Sequence, residues 1–268
     1  MTRLGLTLLL ASMLGVQAAA ARPPDPFAIT LLKAAAEAPT HVSFVAQVEL
    51  LTIGSHGSQA SVFRVEHRAP NLTRRWYLTP PDVYGDWTLS RGDTTYAVDV
   101  RHRRIVVTPN EDFGIHSGWH HDLPLLMRNY SPIIGPLGHV AGRVARMLVL
   151  VNRYTGVTTM RLWIDAATDL MLQRQVYAAN GSIVEQMHFE DVHFTGDIPL
   201  SHFALPTGYA MISGPSRGVP STDPASVMAR SGFAARAPHY LPEGFMPVVA
   251  ALADENGVRT LHILYSDG

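Results

Sequence analysis

Three histidines and an aspartate lie close together in the middle of the chain, at His116, His120, His121 and Asp122. Imidazole and carboxylate groups are ligands that zinc takes in proteins, so this stretch is the best candidate for a metal site. Two glycines in the same stretch favour a loop, which does not hold the side chains on one face. Because the chain contains 13 histidines, clustering by chance is the simpler interpretation. We therefore expect no bound metal.

One stretch of the sequence matches a motif that carries a catalytic nucleophile. The run Gly214-Pro-Ser-Arg-Gly218 fits the Gly-x-Ser-x-Gly elbow, which needs a strand before the serine and a helix directly after it. Pro220 and Pro224 interrupt the stretch where that helix would lie. Cysteine is absent, which excludes thiolate nucleophiles, thiolate metal ligands and disulfides. We expect a protein that is not an enzyme and needs no cofactor.

Basic residues make the middle of the chain locally positive, at Arg74, Arg75 and the run Arg101–Arg104. Such a group either belongs to solvated turns or offers a surface to an anionic headgroup or an acidic partner. The formal net charge of the whole chain is −1, which argues against a general nucleic-acid binder.

Large aromatic side chains fall on the predicted strands. The candidates are Trp76, Trp87, Tyr96 and Trp163. They are either ordinary core residues or the walls of an apolar concavity, left where a curved sheet does not close. We take them as candidate ligand-binding residues.

The first 21 residues have the pattern of a secretory signal. Arg3 is followed by the apolar stretch Leu4–Val16 and by the small residues Ala18–Ala21, which suit a cleavage site. The apolar stretch is shorter than the roughly 20 residues that a membrane-spanning helix needs. We expect an exported protein without a membrane span.

Strands with turn signals between them predict a mainly antiparallel β framework. Asp25-Pro26 predicts the start of a helix over Pro26–Glu37, and Leu123–Asn129 is a second, short helix. The clearest part is a four-stranded meander over Gly142–Phe194. In it, Asn180-Gly181 predicts a type I′ hairpin turn, which needs positive φ at both central residues.

Proline, glycine and serine in Gly214–Asp223 are typical of a linker. Beyond it, Arg259–Tyr265 is a predicted strand with no later strand to pair with, so we expect a fragment or a small domain of marginal stability. The expected division is a signal peptide at 1–21, a large domain at 22–212, a linker at 213–232 and the start of a small C-terminal domain at 233–268.

The order of several short motifs resembles the sigma-E regulatory protein family RseB/MucB, whose large domain is similar to the lipoprotein carriers LolA and LolB. The motifs are Val140–Arg143, Arg161–Asp165, Thr168-x-Leu170, the Gly181 hairpin, Phe189–Val192, Leu241–Phe245 and His262–Gly268. The resemblance extends in order over about residues 26–268.

This resemblance implies a fold and a function. The fold is α+β and mainly β: a half-open antiparallel β-barrel packed on helices (LolA-like), followed by a small C-terminal α/β segment. The function is that of a non-enzymatic periplasmic regulator, which binds the extracytoplasmic part of an anti-sigma factor and has an apolar cavity for lipid or lipopolysaccharide. A periplasmic lipid or lipoprotein carrier is the alternative. A carrier needs only the barrel, so the second segment favours the regulator.

Overall fold

The computed structural model describes residues 25–54, 57–109, 119–214, 221–234, 236, 238–255 and 257–267. The described α-helices are α1 (Pro26–Glu37), α2 (Trp119–Asn129) and α3 (Pro224–Ala229), and short 3-10 helices lie at Ala38–Thr40, Pro81–Val83 and Leu200–Phe203. The strands that precede α2 are β1 (Phe44–Gly54), β2 (Gly57–Arg68), β3 (Leu72–Thr79), β4 (Trp87–Arg91), β5 (Thr94–Asp99) and β6 (Arg104–Pro109). Those that follow it are β7 (Tyr130–Val140), β8 (Arg143–Asn152), β9 (Thr158–Asp165), β10 (Met171–Tyr177), β11 (Ile183–Phe194), β12 (Ala210–Ser213), β13 (Met246–Glu255) and β14 (Val258–Ser266).

Twelve of the described strands form one sheet, in the order β12-β6-β5-β4-β3-β2-β1-β11-β10-β9-β8-β7. Neighbouring strands are antiparallel except β12 and β6, which are parallel. Strands β7 and β12 are its two edges, so the sheet curves round the helices without closing. The prediction of a mainly β, half-open antiparallel barrel packed on helices is confirmed.

Helix α1 starts where the sequence predicts. Pro26 takes the first helical position, and the Asp25 carboxylate accepts the N–H of Phe27 at 2.9 Å and of Ala28 at 3.4 Å. The apolar face of the helix presents Leu31 and Leu32 to the sheet. This face is the centre of a cluster that we call the inner core. Its largest strand residues are Phe44, Phe63, Leu148, Leu150, Leu162, Ile164, Met187 and Phe189.

A second apolar cluster, which we call the outer core, lies on the opposite face of β3–β6. Alternation along a strand explains the division, because Phe44 on β1 belongs to the inner core while its neighbour Val45 packs against the outer core. Residues 195–209, which we call the cover segment, lie over the outer core with Ile198 and Phe203 buried in it. The outer-core strand residues are Trp87, Leu89, Val98 and Ile105, with Leu72, Trp76, Tyr96 and Val107 packed against them.

Three arginines from neighbouring strands hold the backbone of the cover segment. Arg68 on β2 donates to the carbonyl of Ile198 at 2.9 Å, and Arg91 on β4 donates to the carbonyl of Phe203 at 2.8 Å. Arg74, on β3 between them, donates to the carbonyl of His202 at 2.5 Å. The donors satisfy three backbone carbonyls of a segment that lies outside the sheet and contains only a short 3-10 helix, Leu200–Phe203.

Two sequence predictions about local structure need correction. The hairpin between β10 and β11 is not a type I′ turn, because only Gly181 has a positive φ (82°) there. Instead, the Gly181 N–H donates to the carbonyl of Ala178 and the Asn180 side chain accepts from the N–H of Ser182 at 3.0 Å. Helix α2 begins at Trp119, four residues before the predicted start at Leu123.

Strands β7, β12 and β13 were not predicted. Strand β7 contains Pro132 and Pro136, which weaken a sequence signal for a strand but are tolerated at a sheet edge. Gly135 in the same strand packs so closely on Met147 of β8 that a Cβ atom there would lie 2.5 Å from the Met147 Cε. Strand β12 is four residues long, which is too short for a clear period-two pattern.

The C-terminal part forms a smaller unit in which β13 pairs with β14, so the predicted strand Arg259–Tyr265 does have a partner, which precedes it in the sequence. Helix α3 packs on β13 with Val227 buried, although it lies in the stretch predicted as a linker. Asn129 at the end of α2 joins this unit to the large sheet, donating to the carbonyls of Gly244 at 3.0 Å and Asp267 at 2.7 Å. The position of the domain boundary stays a prediction.

The described helices contain no apolar stretch of membrane-spanning length.

A buried ion pair joins the start of β8 to the end of β9. The Asp165 side chain is 1% exposed, and the Arg143 Nε lies 2.5 Å from its Oδ2. The other carboxylate oxygen accepts from the N–H groups of Ala167 and Thr168 and from the Thr168 hydroxyl. Burial by itself raises the pKa of Asp165, but the hydrogen bonds from Arg143, Thr168 and Ala167 outweigh burial and lower it.

We expect Asp165→Asn to lower the free energy of unfolding by about 2 kcal/mol at pH 7, because it removes a buried charge-assisted pair. The pKa of Asp165 is lower in the folded state. The stabilisation is therefore present above the ordinary carboxyl pKa and is lost as the pH falls through the folded value. Urea denaturation of both proteins between pH 7 and pH 3 should show the difference shrinking. Asp82→Asn, at an exposed position, is the control and should change stability little at either pH.

Candidate functional site

An open groove of about 510 Å³ lies on the outer face of β2 and β3, beside the turn that leads to β4. This volume is within the range of small-molecule and peptide sites in proteins. The groove is lined by charged and aromatic side chains, chiefly Arg64, Glu66, Arg74, Trp76, Tyr84 and His202. His202 comes from the cover segment, so the groove lies where that segment meets the sheet.

Strand alternation and register bring the groove residues together. Arg64 on β2 is opposite Trp76 on β3, and Glu66 is opposite Arg74. Because the side chains of residues two apart point to the same face, all four are on the side away from α1. Trp76 is in turn opposite Trp87 of β4, which extends the row of aromatic side chains into the outer core.

Arg74 is held between two tryptophans. Its guanidinium carbon lies 3.8 Å from the ring centroid of Trp76 and 3.9 Å from that of Trp87. Both contacts are cation–π interactions of short range. Burial lowers the pKa of the Arg74 guanidinium, while the charge of Glu66 raises it. The Arg74 Nε is buried and has no hydrogen-bond partner among the described residues.

Glu66 is the buried carboxylate of the groove, with 4% of its surface exposed. One of its oxygens lies 3.4 Å from the Arg64 Nη2 and the other 2.9 Å from the His202 Nδ1. Two guanidinium groups therefore share the groove with one carboxylate, and His202 adds a further positive charge when it is protonated. This arrangement favours a negatively charged group in the groove.

The structure brings three of the four predicted aromatic residues together. Trp76 lines the groove, Trp87 is buried beneath Arg74, and Tyr96 packs against the same outer core. Trp163 is on β9, five strands from β3, and packs against the inner core. The four side chains therefore do not surround one space. Ligand binding at any of them stays a prediction.

Four groove residues were not predicted from the sequence, namely Arg64, Glu66, Tyr84 and His202, and Arg74 was included only in a basic stretch. The structure divides that stretch, because Arg74 and Arg75 face opposite sides of β3 and Arg104 pairs with Asp99 at 2.9 Å. The alternation Arg74-x-Trp76 was a usable signal, since it puts a cation and an aromatic ring on one face. The contribution of the cover segment had no comparable signal.

The two other sequence candidates fall largely outside the described residues. His116 and the Ser-Arg-Gly of the nucleophile-elbow match are not described, and of His120 and His121 only the backbone of α2 is. Within the described residues there is no group of three or more metal-ligating side chains.

Residues 28–207 match the family model of the MucB/RseB N-terminal domain. The chain belongs to the MucB/RseB family. The matched residues include every residue that lines the groove. They also include the cover segment, except its last two residues, 208 and 209. Comparison with curated protein sequences finds no match.

Solved MucB structures share the fold of this MucB/RseB-family chain. The complex of Pseudomonas aeruginosa MucA and MucB has a TM-score of 0.61 at 16% identity, covering 90% of this chain and 76% of that one. MucB in complex with MucA(peri) gives 0.60 at 16% identity, with the same coverage. MucB alone gives 0.58 at 16% identity, covering 91% of this chain and 77% of that one.

We expect Arg74→Ala to lower the free energy of unfolding by about 2 kcal/mol, through loss of the two cation–π contacts and the bond to the cover segment. Thermal and urea denaturation measure this, and tryptophan fluorescence reports the exposure of Trp76 and Trp87. Arg64→Ala is the matched control in the same groove. Because the Arg64 side chain is 57% exposed, its loss should change stability by no more than about 0.5 kcal/mol. Equal effects of the two substitutions would contradict a structural role specific to Arg74.

Proposed function

We propose that this MucB/RseB-family protein is a non-enzymatic regulator that acts in the periplasm by binding the extracytoplasmic part of an anti-sigma factor. The observation that carries the proposal is the family match over residues 28–207, joined to a likeness in fold to MucB over 90% of the chain. Two of the similar structures are complexes of MucB with MucA or MucA(peri).

The small C-terminal unit supports a regulator over a simple carrier. A carrier needs only the half-open barrel. Here β13, β14 and α3 follow the barrel, and Asn129 and Tyr130 connect the barrel to Asp267 by side-chain hydrogen bonds. A second unit attached in this way offers additional surface to a protein partner. Export to the periplasm rests on the signal pattern of residues 1–21.

Lipid sensing is the second part of the proposal. The outer core lies between the sheet and an irregular segment, and Trp76, Trp87 and Tyr96 are its candidate contacts for an acyl chain, with Trp163 a separate candidate on the inner core. Each buried methylene contributes about 0.8 kcal/mol, so a long tail binds without a polar site. A tail that enters beside Trp76 and Trp87 displaces Arg74 from between the rings, and lipid occupancy then alters the affinity for the protein partner.

We expect the mature chain to bind the periplasmic segment of a single-span anti-sigma factor encoded beside its gene, and lipid A to weaken that binding. Isothermal titration calorimetry with and without lipid A measures both effects. A fatty acid carrying a quencher should reduce the fluorescence of Trp163→Phe, which keeps Trp76 and Trp87, more than that of Trp76→Phe. A folded sample that binds neither the segment nor lipid would falsify the proposal.

A further inference from the structure

We infer that the groove between β2, β3 and the cover segment binds an acidic, extended protein segment. A carboxylate of that segment pairs with Arg74 and Arg64, and an adjacent apolar side chain lies against Trp76 and Tyr84. The inference rests on the proposed function in taking a protein as the occupant. It goes further by assigning the site and the chemistry of the partner.

The charge of the groove is the first argument. Arg64 and Arg74 provide two permanent positive charges, and the one carboxylate in the groove, Glu66, is buried and already bonded to Arg64 and His202. The excess is therefore positive, on a chain whose overall formal charge is −1. A positive groove on such a chain attracts an acidic partner to one place rather than to its whole surface.

The fixed position of Arg74 is the second argument. Two tryptophan rings and the His202 carbonyl hold its guanidinium before any ligand arrives. A guanidinium has five N–H donors in a planar fork that matches a carboxylate, and one of its nitrogens is engaged by the cover segment. Because Arg74 is already ordered, pairing with a carboxylate costs little side-chain entropy.

The rim of the groove is the third argument. Tyr84 is 71% exposed although it is a large aromatic residue, and Leu78 beside it is also exposed. The turn that carries Tyr84 folds back on β3 through the Gly85 N–H, which donates to the Tyr77 carbonyl at 3.0 Å. Exposed tyrosine next to arginine is the composition of energetic centres in protein interfaces. An open groove with a charged floor suits a peptide better than an acyl chain.

The test uses a fluorescein-labelled peptide, Glu-Leu-Glu-Tyr-Glu, and its uncharged counterpart Gln-Leu-Gln-Tyr-Gln, with the mature full chain and fluorescence anisotropy at low salt. We expect the acidic peptide to bind at least about tenfold more tightly than the uncharged one, because only the first forms charge-assisted pairs with arginine. Arg74→Lys should weaken binding about tenfold, because lysine keeps the charge but loses the fork. Arg64→Ala and Tyr84→Ala should each weaken it about threefold.

The matched control is Arg161→Ala. Arg161 stacks on Tyr177 at 5.1 Å, and it is on β9, five strands from β3, so its loss removes a cation from a distant part of the sheet. Peptide affinity should stay unchanged in this variant. If Arg161→Ala weakens binding as much as Arg64→Ala, the attraction is general and the inference fails. Equal binding of the two peptides also overturns it. Thermal denaturation of each variant confirms that the protein is folded.

Two further outcomes separate this inference from its alternatives. If phosphatidylglycerol vesicles bind in an Arg74-dependent way and the acidic peptide does not bind, the groove recognises a lipid headgroup and the inference is wrong. The anti-sigma segment distinguishes the inference from the proposed function. If that segment binds and Arg74→Lys and Arg64→Ala leave its affinity unchanged, the proposed function stands and the groove assignment fails. If it does not bind while the acidic peptide does, the assignment stands and the proposed function fails.

Discussion

The sheet has apolar side chains on both faces, so each face needs its own cover. A strand with period-two alternation usually gives one face to the core and the other to water. Here β1 contributes Phe44 to one cluster and Val45 to the other, and β3–β6 carry a full second core. Helices α1 and α2 cover the inner face only. The rest of the architecture follows from how the second face is covered without an α-helix.

The cover segment is stabilised by arginines where a helix would use its own hydrogen bonds. Carbonyls of Ile198, His202 and Phe203 accept from Arg68, Arg74 and Arg91, one from each of three adjacent strands. Arg74 also stacks on the rings of Trp76 and Trp87, so this one residue both packs on the outer core and satisfies the backbone. Arg74, which belongs to the basic stretch that suggests a ligand surface in the sequence, is thus first of all structural.

Local patterns predicted the parts of the fold that depend on neighbours in sequence. The start of α1 and the meander from β8 to β11 follow from capping and alternation, and both are present. The candidate site was harder to predict from the sequence. The role of Trp76 or Trp163 depends on which face of the sheet its side chain lies on and on what covers that face. His202 reaches Glu66 from 136 residues away, and no spacing rule describes such a contact. The prediction of a type I′ turn between β10 and β11 was wrong because a difference of one residue in the length of a hairpin loop selects another type of turn.

Arg74 belongs to both the fold and the groove, and this double role limits how the site can respond. The same guanidinium contacts Trp76 and Trp87, bonds to the cover segment and faces the groove. A ligand that binds its remaining donors without moving it stabilises the closed outer core, whereas an apolar ligand that takes its place between the rings opens that core. The first ligand stabilises the position of Arg74 and the second displaces it. By linkage, each ligand therefore lowers the affinity of the protein for the other. Coupling of this kind needs no movement of the C-terminal unit.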